Sequence, residues 1–235
     1  MRVKSLIYEI LQGFLSQQRV VSIVGESGTG KTTLALQLVT NLMINKNSSS
    51  NKQTIWVQAS ESFPKKRLLK MYQNDPEIAS YLLKNIFIIP KQGPFPNNTS
   101  QSNFLQNFGN LVLPPGMKHI VIDNVSHHLR LAQANAADYQ ERKKLMNDFF
   151  DNQLFPLIMF SLRSNFILIL IHEVSFDPQS GQLKAYNNQL FERIKVVEIY
   201  LSKSIGSRLK SIKVSESNFN QDFIYEISDQ GLIFL

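Results

Sequence analysis

Gly25-Glu26-Ser27-Gly28-Thr29-Gly30-Lys31-Thr32 is the stretch on which the reading of this chain turns. It satisfies the spacing G-x-x-x-x-G-K-[ST], and its surroundings are those the spacing requires: residues 19–24 before it read as a strand, and Thr33-Leu34-Ala35-Leu36-Gln37-Leu38 after it as a helix. Glycines let the main chain curl so that successive N–H groups face one anion, and the following helix adds the positive end of its dipole. Gly25, Glu26, Ser27, Gly28, Thr29, Gly30, Lys31, Thr32 and Thr33 are therefore expected to bind the phosphates of a nucleotide. Lys31 is the cation for the β- and γ-phosphates and a candidate catalytic residue, and Thr32 has the hydroxyl that a magnesium ion needs beside its waters and phosphate oxygens.

Working outward, apolar runs of strand length recur at residues 20–24, 54–58, 86–89, 119–123 and 166–172. Several are unbroken rather than alternating, as strands covered on both faces are. Helical spacing lies between them at residues 32–43, 64–83 and 139–163, with Pro156 expected to kink or restart the last. This alternation predicts an α/β fold with a mostly parallel central sheet flanked by helices. Residues 194–203 and 208–215 around Ser204-Ile205-Gly206-Ser207, then 223–227 and 232–235 around Asp229-Gln230-Gly231, predict two antiparallel C-terminal hairpins extending one sheet edge. Residues 45–52 and 91–110 read as surface loops, and residues 1–235 as a single domain.

Composition excludes several chemistries. The chain has no cysteine, which removes disulfides, thiolate nucleophiles and Cys-ligated zinc. Its four histidines include the adjacent His127 and His128, with no carboxylate at ligand spacing. The most apolar stretch, residues 154–171, is broken by Pro156, Arg163 and Asn165, so a helix followed by a buried strand is expected rather than a membrane span. The N-terminal residues lack a signal-peptide pattern, and a soluble chain in the cytoplasm, or in the nucleus of a eukaryote, is expected. The net charge of +7 permits nucleic acid or an acidic partner.

Two carboxylates complete the expected site. His119-Ile120-Val121-Ile122-Asp123 is a strand ending in an acid about ninety residues after the glycine-rich segment, so Asp123 is a candidate to hold the magnesium shell beside Thr32. Glu61 follows the strand at residues 54–58, on the side where ligands bind in open α/β sheets, and is a candidate for orienting an attacking water. A solvated glutamate opening the helix near Pro64 is the alternative reading of the same residue.

Beyond these residues, the order of segments resembles the RecA-type recombinase ATPases, in particular the archaeal RadA and RadB branch. The resemblance runs over nearly the whole chain. It starts at Ser5-Leu6-Ile7-Tyr8-Glu9-Ile10-Leu11-Gln12-Gly13 and passes through the glycine-rich segment and Asp123 to Ser126-His127-His128-Leu129-Arg130. It continues at Tyr139-Gln140-Glu141-Arg142-Lys143-Lys144-Leu145, Ile171-His172-Glu173-Val174, Ser180-Gly181-Gln182-Leu183 and Leu201-Ser202-Lys203-Ser204-Ile205-Gly206-Ser207-Arg208. It implies a RecA-like P-loop NTPase core with ATP and Mg²⁺ as cofactors. It also implies a role in DNA recombination and repair beside a RadA-type recombinase or another RecA-family paralogue, with single-stranded DNA as a weak ligand and an oligomer compatible with that role.

Departures from the family pattern shape the expectation. The family's catalytic glutamate falls on Ser60 in an ungapped match and on Glu61 only with a shift of one residue, so weak or partner-dependent hydrolysis is expected. Glu173 replaces the glutamine that senses the γ-phosphate, and its charge must be turned away or protonated to tolerate that phosphate. The two DNA-binding loops, residues 131–138 and 175–188, hold few cations, and no F-x-x-A segment is present, so autonomous strand exchange is not expected. Positive charge gathers instead at residues 181–213, where seven cations face two acids for a net +5. A KaiC-like signalling or motor-regulating ATPase and a nucleotide-locked scaffold are the alternative functions.

Overall fold

The structure is a computed structural model that describes residues 11, 13–15, 18–44, 51–177, 181–186, 194, 196–203, 208–216 and 219–235. Its frame is a nine-stranded sheet built from β1 (Val20–Gly25), β2 (Gln53–Gln58), β3 (Ile86–Ile89), β4 (Met117–Asp123), β5 (Ile167–His172), β8 (Val197–Lys203), β9 (Lys210–Glu216), β10 (Phe219–Ser228) and β11 (Gly231–Phe234). The spatial order is β11-β10-β9-β8-β1-β5-β4-β2-β3. From β8 to β3 every pairing is parallel, and from β8 to β11 every pairing is antiparallel. A separate hairpin joins β6 (Val174–Asp177) to β7 (Gln182–Ala185).

Strand alternation sends side chains to two cores. Val21, Ile23, Trp56, Val121 and Ile169 face one, where α1 (Lys31–Ile44), α2 (Lys65–Met71) and α3 (Pro76–Asn85) pack. Val20, Ile55, Ile120, Ile122 and Leu168 face the other, beneath α4 (Asn98–Gln106), α5 (His127–Ala134), α6 (Tyr139–Asp148) and α7 (Phe155–Arg163). This is the α/β architecture expected from the sequence, antiparallel C-terminal strands included.

Three local expectations are corrected and one is met. Residues 91–110 contain α4, started by Asn97, whose side chain accepts from the Ser100 N–H at 2.9 Å. Its Leu105, with Phe104 and Phe108, joins an aromatic cluster that the Asn- and Ser-rich composition concealed. The helix expected over residues 64–83 is two helices, because Asp75-Pro76 stops one and starts the next at a position where proline loses no helical bond. Pro156 restarts the helix as expected: it sits in the first turn of α7, directly after a π-helical turn at Phe149–Leu154 that re-phases the chain. The expected loop at residues 131–138 is helical through Ala134. The expectations placed on residues 5–10, 12, 45–50, 178–180, 187–193, 195 and 204–207 lie outside the described residues.

Candidate nucleotide site

The glycine-rich segment leaves β1 at the C-terminal edge of the parallel strands and turns into α1. Gly25 is demanded by close packing: a Cβ there would lie 2.5 Å from the Leu201 carbonyl oxygen of β8 and 2.8 Å from Thr29 Oγ1. Gly30 has φ +91°, where a side chain is strained, and the space beside it is closed by Ile227 of β10. Within the turn, Thr29 Oγ1 donates to the Glu26 carbonyl at 2.8 Å, and Lys31 Nζ donates to the Gly25 and Glu26 carbonyls at 2.8 and 2.9 Å. The ammonium thus curls over its own loop. Burial lowers the Lys31 pKa, against the opposing pull of Asp123, Glu173, Glu26 and Glu61.

Asp123 ends β4, two strands away from β1, and its Oδ2 accepts a 2.8 Å hydrogen bond from Thr32 Oγ1. The carboxyl is 1% exposed. Burial pushes its pKa up to about 6; the Thr32 hydrogen bond opposes this, Glu61 adds to it and Lys31 opposes it. Its main chain is fixed as well, since the Asp123 carbonyl accepts from the Ala59 and Ser60 N–H groups at 2.7 and 3.1 Å. Ser60 Oγ in turn accepts from the Asn124 N–H at 3.3 Å. The strand end after β2 is therefore tied to the strand end after β4, with Ser60 occupied by that tie and Glu61 presented to solvent in the cleft.

These residues line one cleft of about 590 Å³. Gly25, Glu26, Ser27, Gly28, Gly30, Lys31, Thr32, Thr33, Glu61 and Asp123 all border it. Thr29 does not; it is fully buried beneath the loop, where its carbonyl accepts from Tyr225 Oη at 2.6 Å. The charge balance suits an anion with a divalent ion. Among the described residues no group of three or more His, Asp or Glu side chains could hold a metal unaided, so a cation here would take most of its oxygens from phosphate and water, as magnesium does. Thr32 and Asp123 are the pair that could complete its shell.

Three further residues, Lys203, Arg67 and Gln37, were not assigned to the site from the sequence. Lys203, at the end of β8, places Nζ 3.6 Å from Glu26 Oε1 and 3.5 Å from the Ser27 carbonyl, so one cation of the basic C-terminal region offsets the acid in the phosphate segment. Arg67 of α2 borders the cleft and donates to the Ser228 carbonyl at 2.9 Å. Gln37 of α1 holds both main-chain groups of Leu232 in β11, donating at 3.2 Å and accepting at 2.9 Å. The C-terminal hairpin is thus pinned against the phosphate segment, and only contacts across nearly two hundred residues reveal it. Glu173 lines the cleft with its charge engaged: its carboxylate accepts from Arg130 at 2.8 Å and pairs with His127 Nδ1 at 3.0 Å. Burial raises its pKa, but those two partners outweigh burial and hold it below the ordinary value.

The AAA domain family matches residues 14–166, more than half of the chain. The chain belongs to that family. Its fold and its relatives place this AAA-domain protein in the RecA-type recombinase superfamily. The DNA repair and recombination protein RadA of Aeropyrum pernix is 22% identical over 229 residues, covering 95% of this chain and 69% of RadA. The DNA repair and recombination protein RadB of Thermococcus sibiricus is 22% identical over 226 residues, covering 95% of this chain and 90% of RadB. A crystal structure of the RadB recombinase superposes with a TM-score of 0.68 at 21% identity, covering 91% of this AAA-domain chain and 89% of the other, which establishes a shared fold. Among the described residues no helix is long and apolar enough to cross a membrane.

Proposed function

We propose that this chain is an ATP-binding RecA-family recombinase paralogue that acts as an accessory factor in homologous recombination and DNA repair, with weak or partner-dependent hydrolysis. The observation that carries the reading is the 2.8 Å contact of Thr32 with the buried Asp123 in the cleft that Lys31 also borders. The relatives named for DNA repair and recombination supply the biological setting. In this reading the main chain of residues 25–33 binds the phosphates, Lys31 exchanges its carbonyl partners for phosphate oxygens, and Thr32 and Asp123 hold the magnesium shell. Magnesium, when bound, draws charge from the phosphate oxygens. Glu61 orients water from the open side of the cleft, and its exposure accords with slow turnover. The partner is a RadA-type recombinase or another paralogue. Single-stranded DNA binds weakly and with strong salt dependence, because the described loop residues hold few cations.

The test is thermal stabilisation. Mg-ATP should raise the melting temperature of the wild-type chain, and Lys31→Ala should remove the effect. Stabilisation that survives Lys31→Ala would show that the nucleotide sits elsewhere. In single-turnover hydrolysis with the recombinase and DNA present, Glu61→Gln should slow phosphate release on the order of a hundredfold. An unchanged rate leaves Glu61 as a helix-opening residue only.

A further inference from the structure

Beyond the cradle, the same cleft has a second charged wall. Arg130 of α5 and Glu173, the residue between β5 and β6, both line it. Arg130 Nη1 donates to Glu173 Oε2 at 2.8 Å, His127 Nδ1 lies 3.0 Å from Glu173 Oε1, and the Glu173 N–H donates to Ser126 Oγ at 3.0 Å. Lys31, Thr32 and Asp123 line the same cleft as this pair. This wall therefore shares the cleft with the residues that the ATP reading assigns to the outermost phosphate and its magnesium ion.

A carboxylate at that point opposes a triphosphate unless its charge is already engaged. Here it is engaged by a guanidinium that is half exposed, with 51% of the side chain accessible, and so able to change partners without disturbing the core. A terminal phosphate presents more charge and more acceptor oxygens to a guanidinium than one carboxylate does, and the planar donor fork suits either. Resting on the ATP reading of the cleft, we propose that Arg130 is the cation that reads the terminal phosphate, and that Glu173 holds it in reserve until that phosphate arrives. Arg130 is a phosphate-binding residue in this scheme, and Glu173 is a positioning residue acting through it.

The exchange also has an outlet. The Glu173 carbonyl accepts from the Tyr186 N–H at 2.9 Å, and the Arg130 guanidinium lies 6.0 Å from the Tyr186 ring centre. Tyr186 Oη donates to Gln133 of the same helix as Arg130. Glu173 leads directly into β6, and Tyr186 directly follows β7. A guanidinium that leaves Glu173 for a phosphate loosens one of the side-chain ties between α5 and the base of this hairpin.

Calorimetric titration of the full chain with Mg-ATP and with Mg-ADP tests the assignment. Arg130→Ala should lower the preference for ATP over ADP on the order of tenfold, because a charge-assisted contact to the γ-phosphate is lost while ADP affinity is kept. Arg130→Lys should restore part of that preference. Glu173→Gln should raise it above wild type, since the tether is weakened and the opposing charge removed. Loss of ATP and ADP affinity in equal measure would make Arg130 a structural residue and overturn the assignment, as would an unchanged ratio. A wild-type chain that binds neither nucleotide overturns the ATP reading itself, which separates the two failures.

Discussion

The cradle and the opposite wall of the same cleft are built by different means. At the cradle nearly every contact involves main chain: Lys31 to the Gly25 and Glu26 carbonyls, Thr29 to the Glu26 carbonyl, Tyr225 to the Thr29 carbonyl, and β8 against Gly25. At the Arg130–Glu173 wall the contacts join side chains from separate segments, and one partner is half exposed. The difference bears on function. A site gripped by main chain recognises any polyphosphate in one fixed geometry, whereas exposed side chains can exchange partners and so report which phosphate is present.

The contrast is broken most forcefully at Gly25. Gly25→Ala places a methyl 2.5 Å from a main-chain oxygen of β8, so β1 and β8 must separate or the turn must move. Overpacking of this kind costs about 3 kcal/mol, near the upper end of its range. Urea denaturation should show the loss, and a variant within about 0.5 kcal/mol of wild type, the spread of a neutral surface change, would mean that the cradle is softer than its contacts imply.

A comparable effect, specific to pH, is expected at Asp123. Its folded-state pKa is raised to about 6 from 3.8, so the folded chain holds this proton more tightly than the unfolded chain does. The associated stability is fully present below about pH 4 and is lost as the pH rises through about 6. Asp123→Asn has no such titration. Without nucleotide or magnesium it should gain on wild type across that window, by on the order of 3 kcal/mol at neutral pH. Melting curves of the two proteins from pH 4 to 8 measure the difference. Parallel curves would place Asp123 in a less buried setting than its 1% exposure describes.

Legibility in the sequence follows the same division. The phosphate segment was readable because a main-chain site needs small residues at fixed spacing, and those survive as letters at Gly25, Gly28 and Gly30. Asp123 was readable because it ends an unbroken apolar strand, and the parallel sheet because its buried strands do not alternate. The helix at residues 98–106 was hidden by polar composition: its stability comes from Leu105 and from ring contacts with Phe95 and Phe108 that form only in the fold. The pairing of Arg130 with Glu173 spans 43 residues, and that of Tyr225 with Thr29 spans 196. No local pattern encodes either, because the sheet order that brings the segments together is a property of the whole chain. Glu173 shows the limit most clearly. The sequence revealed a charge that a phosphate should not tolerate, and only the fold reveals the Arg130 guanidinium and the His127 ring that engage it.

Two tyrosines give the finest comparison. Tyr225 is fully buried and donates to the Thr29 carbonyl at 2.6 Å, whereas Tyr186 is only part-buried and donates to the Gln133 side chain. Removing either hydroxyl deletes one hydrogen bond, but the consequences differ because the abandoned acceptors differ. The Thr29 carbonyl lies under the loop, where water does not readily replace Tyr225, so Tyr225→Phe should cost about 1–2 kcal/mol, the penalty of an unpaired buried acceptor. It should also weaken Mg-ATP and Mg-ADP binding alike, since the loop it braces serves both. The Gln133 side chain can turn to water, so Tyr186→Phe should stay within about 0.5 kcal/mol of wild type. Because the ring beside Arg130 is retained, it should leave the ATP-to-ADP preference close to the wild-type value. Equal stability losses in the two variants would erase the distinction between a cradle fixed by the main chain and a wall of adjustable side chains. A change in nucleotide preference from Tyr186→Phe alone would instead show that its hydroxyl, and not only the Arg130–Glu173 pair, sets how the wall responds to the terminal phosphate.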